Sequence, residues 1–90
     1  MSGSVRVSVA SILFEYTGGE RELEAKGRSV LEVLRDLDRR HRGFLFRIVD
    51  EQARLRPHIK VSVNGAQVRD LGRSLNAGAD LHILQALSGG

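Results

Sequence analysis

Cysteine is absent from the 90 residues, which excludes disulfides, thiolate metal sites and a cysteine nucleophile. Aromatics are scarce, only Phe14, Tyr16, Phe44 and Phe46, and no strand carries enough of them to stack nucleic-acid bases. No apolar run approaches the ~20 residues that cross a bilayer, so no membrane segment is expected. The opening MSGSVRVSVAS has no basic stretch leading into an unbroken apolar one, so no secretory signal is expected either. A cytoplasmic protein is the expectation these absences leave.

What is present is an ordinary globular composition, with 41% apolar and 28% charged residues, enough for one domain that folds alone. The formal charge is +3, from 14 basic and 11 acidic residues. The arginines are interleaved with acids except at Arg39-Arg40-His41-Arg42. Charge alone, without a recognition motif, does not carry a nucleic-acid reading, and no nucleic-acid partner is expected.

Val5, Val7 and Val9 alternate with Arg6, Ser8 and Ala10, the period-2 mark of a half-buried strand. Tyr16-Thr17-Gly18-Gly19 reads as a turn, and Leu23 and Ala25 alternate with Glu22, Glu24 and Lys26 in a second strand, the hairpin partner of the first. Ser29-Val30-Leu31-Glu32 is a capping box, and Val30, Val33, Leu34 and Leu37 follow at helical spacing. The basic cluster falls in that helix's last turn, where it complements the dipole, with Gly43 expected at C′. Phe44 to Arg56 carries only a weak pattern, read as apolar caps over the core edge and then a loop. Ile59, Val61 and Val63 form a strand, Asn64-Gly65 a hairpin turn, Ala66 to Val68 a short return strand, and Leu81 to Ala86 the last strand.

The order is strand-strand-helix-strand-strand-strand. One amphipathic helix must bury its stripe against a sheet, whose inward positions are Val5, Val7, Val9, Leu23, Val61, Val63, Leu81 and Ile83. The fold class expected is α+β: a β-grasp, or ubiquitin-like, mixed sheet with one main helix on one face. The domain is expected to span 1–86 and to be followed by a tail over 87–90. On the last strand His82 and Leu84 then face outward, a face shared with Arg6 and Ser8 of the first. Leu84, His82 and Arg6 are the expected partner-binding residues. His41, His58 and His82 have no metal-ligand spacing, no nucleophile elbow is present, and Gly18-Gly19 and Gly89-Gly90 do not form a phosphate-cradling loop before a helix. No metal site and no catalytic residue are expected.

The initial valine strand, YTGGERELEAKGRSVLEVLRDL, IKVSVNGAQVRDL and the Gly78 turn leading to LHILQALSGG together resemble the ThiS/MoaD-type sulfur carriers over nearly the whole chain. The segment RLRPHIKVSVNG is most similar to the longer, CysO-like members. The chain departs from the pattern at Gln85-Ala86, where family tails often carry prolines, and at Ala77, where an acid often precedes the turn glycine. The terminal Ser88-Gly89-Gly90 matches the family's functional signature. The resemblance implies a carrier rather than an enzyme. A separate E1-like, MoeB-type enzyme would use ATP-Mg to adenylate the Gly90 carboxylate, and a sulfur nucleophile would displace AMP to leave a thiocarboxylate. The carrier itself holds no cofactor. The acceptor would be a cysteine synthase-like enzyme or, if the chain were instead the small subunit of a molybdopterin synthase, that enzyme's large subunit. A ubiquitin-like modifier that forms isopeptide bonds through Gly90 is the other alternative.

Physical reasons suit that chemistry to this tail. Gly89 and Gly90 lack a β-carbon, so the backbone can thread a narrow channel. Ordering Leu87, Ser88, Gly89 and Gly90 costs roughly 4–8 kcal/mol of backbone entropy, and glycine offers little area to offset it. A docking surface on the folded body must contribute the difference.

Overall fold

The computed structural model describes residues 4–85. Five strands form one sheet: β1 (Ser4–Val9), β2 (Glu22–Lys26), β3 (Ile59–Val63), β4 (Ala66–Val68) and β5 (Asp80–Gln85). Their spatial order is β2-β1-β5-β3-β4. β1 and β2 are an antiparallel hairpin, with Val5 opposite Ala25 and Val7 opposite Leu23. The last strand lies at the centre, parallel to β1 and antiparallel to β3. A hairpin, a crossover helix and a final strand inserted beside the first define the β-grasp.

Helix α2 (Val30–Arg40) crosses one face of the sheet, and Val30, Val33, Leu34 and Leu37 are fully buried against it. All eight inward positions expected from the alternation are buried. Each large aliphatic so placed contributes about 1.5–3 kcal/mol. The capping box forms in a shifted version. The Glu32 amide donates to Ser29 Oγ at 3.2 Å, while the Glu32 carboxylate accepts from the Arg28 amide at 2.8 Å, one residue earlier than the usual partner. The orphan amides of Val30 and Leu31 donate to the carbonyls of Arg73 and Leu71, so the segment after β4 closes the helix's first turn. Gly27 lets the β2–α2 link pass close to the helix, because a β-carbon there would lie 2.7 Å from the Val33 nitrogen.

Three local expectations are corrected. The β1–β2 connection is longer than a turn: a 3₁₀ turn at Ser11–Leu13 leads into α1 (Phe14–Thr17). The buried Leu13 pins it to the core, Thr17 Oγ1 donates to the Glu20 carbonyl at 2.9 Å, and Gly18 ends the helix in the left-handed region. Gly43 is one place further out than C′, since α2 ends at the C-cap His41. With φ of 93° it serves as N-cap of a further helix, α3 (Phe44–Ile48). The weakly patterned segment therefore begins as a helix. Phe44 and Ile48, one turn apart, are fully buried, and Asp38 accepts the amides of Gly43 and Leu45 at 3.2 and 3.0 Å to join α2 to α3.

Beyond α3 the loop is organised by Asp50. Its carboxylate accepts the amides of Gln52 and Arg54 at 2.9 and 3.0 Å, and Val49 bridges to Leu55. The Arg54 amide, aided by the Gln52 amide and by the nearby Arg54 and Arg56 charges, holds the Asp50 carboxyl below the usual carboxylate range against a smaller opposing effect of burial. No helix of the described residues is long and apolar enough to cross a membrane.

Candidate functional site

The period of two divides β5 between two tasks. Leu81 and Ile83 point into the core and are fully buried, whereas Leu84 is 46% exposed on the opposite face. Such a leucine in isolation carries little meaning. Here it lies on the central strand, one residue before Gln85, where the described part of β5 ends.

Register fixes its neighbours. Lys60 of β3 pairs with Leu84, Ser62 with His82, and Ser8 of β1 with His82 from the other side. These positions make a polar surface around one exposed aliphatic side chain. His82 Nε2 lies 3.6 Å from Asp80 Oδ2 on the same face. The other Asp80 oxygen, Oδ1, is buried without a hydrogen-bond partner among the described residues.

Of the three expected partner-binding residues, the structure groups Leu84 with His82 and separates Arg6. Arg6 pairs with Asp80, four residues back along β5, about 13 Å at about 3.3 Å per residue. There it lines a separate cleft with Glu24, Gly78 and Asp80. Lys60 and Ser62 take its place beside Leu84. Their outward direction is already in the alternation of Ile59 to Val63, but their adjacency to Leu84 follows only from the β3–β5 pairing. Leu87, Ser88, Gly89 and Gly90, and the expected end of the last strand at Ala86, lie outside the described residues.

The three histidines are dispersed. His41 caps α2, His58 precedes β3 and His82 sits on the open face. Among the described residues no three histidine, aspartate or glutamate side chains gather as a metal-binding group.

A β-grasp with one main helix across its sheet and a half-exposed aliphatic on its central, last strand belongs to the ubiquitin-like class. The particular family follows from comparison. The ThiS family model matches residues 7–90, and the chain belongs to that family. It is 33% identical to sulfur carrier protein CysO of Mycobacterium tuberculosis (strain ATCC 25618 / H37Rv), across 97% of this chain and 99% of that relative. A chain from the crystal structure of the Amycolatopsis orientalis BexX/CysO complex superposes with a TM-score of 0.88 at 43% identity, covering 96% of this chain and 99% of the other. The small archaeal modifier protein 1 of Methanosarcina acetivorans superposes with a TM-score of 0.80 at 27% identity, over 100% of this chain and 99% of that one.

Proposed function

We propose that this protein is a sulfur carrier that serves cysteine biosynthesis, with Gly90 as the position that bears the sulfur. The observation that carries the reading is the full-length likeness to a protein named as a sulfur carrier, together with a central last strand whose sequence continues into Ser88-Gly89-Gly90. The reaction needs a partner because a carboxylate is a poor electrophile. An E1-like enzyme would transfer AMP from ATP-Mg to the Gly90 carboxylate with loss of pyrophosphate. A sulfur nucleophile then attacks the acyl carbon, AMP leaves, and a thiocarboxylate remains for transfer to an acceptor enzyme. The carrier's own contribution is recognition: Leu84, with Lys60, His82 and Ser62 around it, is the surface that offsets the entropy of ordering the tail.

Intact mass spectrometry tests the reading. Incubation with an adenylating enzyme, ATP-Mg and a sulfide donor should exchange one oxygen for sulfur, and fragmentation should place the change at Gly90. No exchange, with an enzyme proven active on another carrier, would end it. The likeness to the archaeal modifier protein favours one second reading, conjugation of Gly90 to lysines. Higher-mass conjugates in cell extract that vanish on deletion of Gly89-Gly90 would support it.

A further inference from the structure

On the flank of the sheet away from β1 and β2, a groove of about 580 Å³ opens between the loop before β3 and the segment after β4. Its walls carry Arg54, Arg56, Lys60 and Arg69, and its only carboxylate is Asp70. That local surplus of three positive charges equals the formal surplus of the whole chain, so the rest of the molecule is balanced. None of the four cations is in an ion pair among the described residues. Asp70 is partly engaged, its Oδ1 accepting the Gly72 amide at 2.9 Å.

The wall is built rather than loose. Asp50 locks the loop through two amides, and Ala53 is held at φ 61°, in the left-handed region that strains a non-glycine residue. Arg56 stacks on Phe46 with its guanidinium carbon 4.5 Å from the ring centre, and its Nε donates to the Phe46 carbonyl at 2.7 Å. Stacking and that bond fix the planar fork before any ligand arrives and leave its terminal nitrogens to meet a carboxylate. Between the cations the floor is aliphatic, with the half-buried Leu31 and Leu55 beside Pro57.

We propose that this groove docks an acidic, leucine-bearing segment of a partner protein, its apolar side chains on the floor and its carboxylates on the arginines. Charge complementarity selects the sign of the occupant. The floor selects a peptide over a nucleotide, because no aromatic side chain lines the groove to stack a base. Place selects the partner. Ile59, in the groove, pairs with Gln85, so a segment seated there lies beside the point where the described part of β5 ends. Assigning it to the enzyme that loads Gly90 rests on the carrier reading; the docking itself does not.

The test has two arms. Isotope-labelled protein is titrated with a synthetic peptide of alternating leucine and glutamate and followed by amide NMR. The shifts should map to residues 53–60 and 67–72, weaken with added salt, and lose affinity by about tenfold or more in the Arg54→Glu, Arg69→Glu double variant but not in Arg39→Glu. Shifts elsewhere, or equal affinity in the double variant, would overturn the proposal, as would displacement of the peptide by inorganic phosphate alone. In the second arm the double variant should raise the KM of thiocarboxylate formation with little change in kcat. An unchanged KM refutes the assignment to the loading enzyme. Failure of wild-type protein to be loaded refutes the carrier reading instead, and leaves the NMR result standing.

Discussion

The two faces of the sheet obey different rules although the same strands build both. On the helix side the alternate residues at the middle of the sheet are aliphatic and shut from water: Val7, Leu81 and Ile83 are fully buried, and Val5 and Val61 nearly so. On the open side the same strands present Ser8, Lys60, Ser62 and His82 near Leu84, the single large apolar residue of that face among the described residues, with Arg6 further along beside Asp80. The helix side tolerates no change in volume, because its atoms are close-packed. The open side is only partly covered, with Ser8, Ser62 and His82 half-buried and Leu84 half-exposed. Stability is therefore concentrated on one face and recognition is free to occupy the other.

Adjacent residues of β5 give the sharpest way to break this division. Ile83→Ala should destabilise by about 2–5 kcal/mol, whereas Leu84→Ala should stay within about 0.5 kcal/mol and still slow loading of Gly90. Chemical denaturation read beside a loading assay checks both. Comparable losses of stability in the two variants would abolish the distinction. Gly27→Ala probes how closely the helix lies on its face. The new β-carbon would meet the Val33 nitrogen at 2.7 Å and the Glu32 carbonyl carbon at 2.9 Å, backbone that cannot swing aside, so a loss of about 1–3 kcal/mol is expected. An unchanged denaturation midpoint would show that the link relaxes. Ser29→Ala, which removes the cap of α2, should cost about 1 kcal/mol with no effect on the open face. Its test is the midpoint together with unaltered amide shifts at Lys60, Ser62 and His82.

The smallest effect belongs to the Asp50 loop. The carboxyl's folded pKa lies below its unfolded value, so its contribution is fully present above the ordinary carboxylate range and is lost as pH falls through the depressed value. Amide NMR during acid titration should show Gln52 and Arg54 responding at lower pH than a free aspartate would. The Asp50→Asn variant should lack that transition. A response at the ordinary carboxylate pH would refute the loop geometry.

The core was legible before any coordinates because strands report themselves by alternation and α2 by a stripe and a cap. Val61 and Val63 flanking Lys60 and Ser62, or Ser29 three residues before Glu32, are local patterns that local physics enforces. Phe44 to Arg56 was not legible. α3 is five residues long, too short for a period to emerge, and Phe44 and Ile48 reveal a helical turn only once a core lies beneath them. The loop after it depends on one carboxylate gathering two amides, which no hydrophobic pattern encodes. Arg6 shared a face with Leu84 by parity alone, and register then set the two four residues apart along the strand.

By itself the sequence determined which residues face inward, where the main helix begins, and the family signature that ends in Gly89-Gly90. Those properties are set by neighbours a few positions away, so the chain carries them wherever it folds. Only the tertiary structure decided that β5 runs between β1 and β3, that Lys60 stands beside Leu84, and that Arg54, Arg56, Lys60 and Arg69 line one groove. These residues are brought together by strand pairing and by the path of a loop, and such long-range closure depends on the whole packed core rather than on any segment within it.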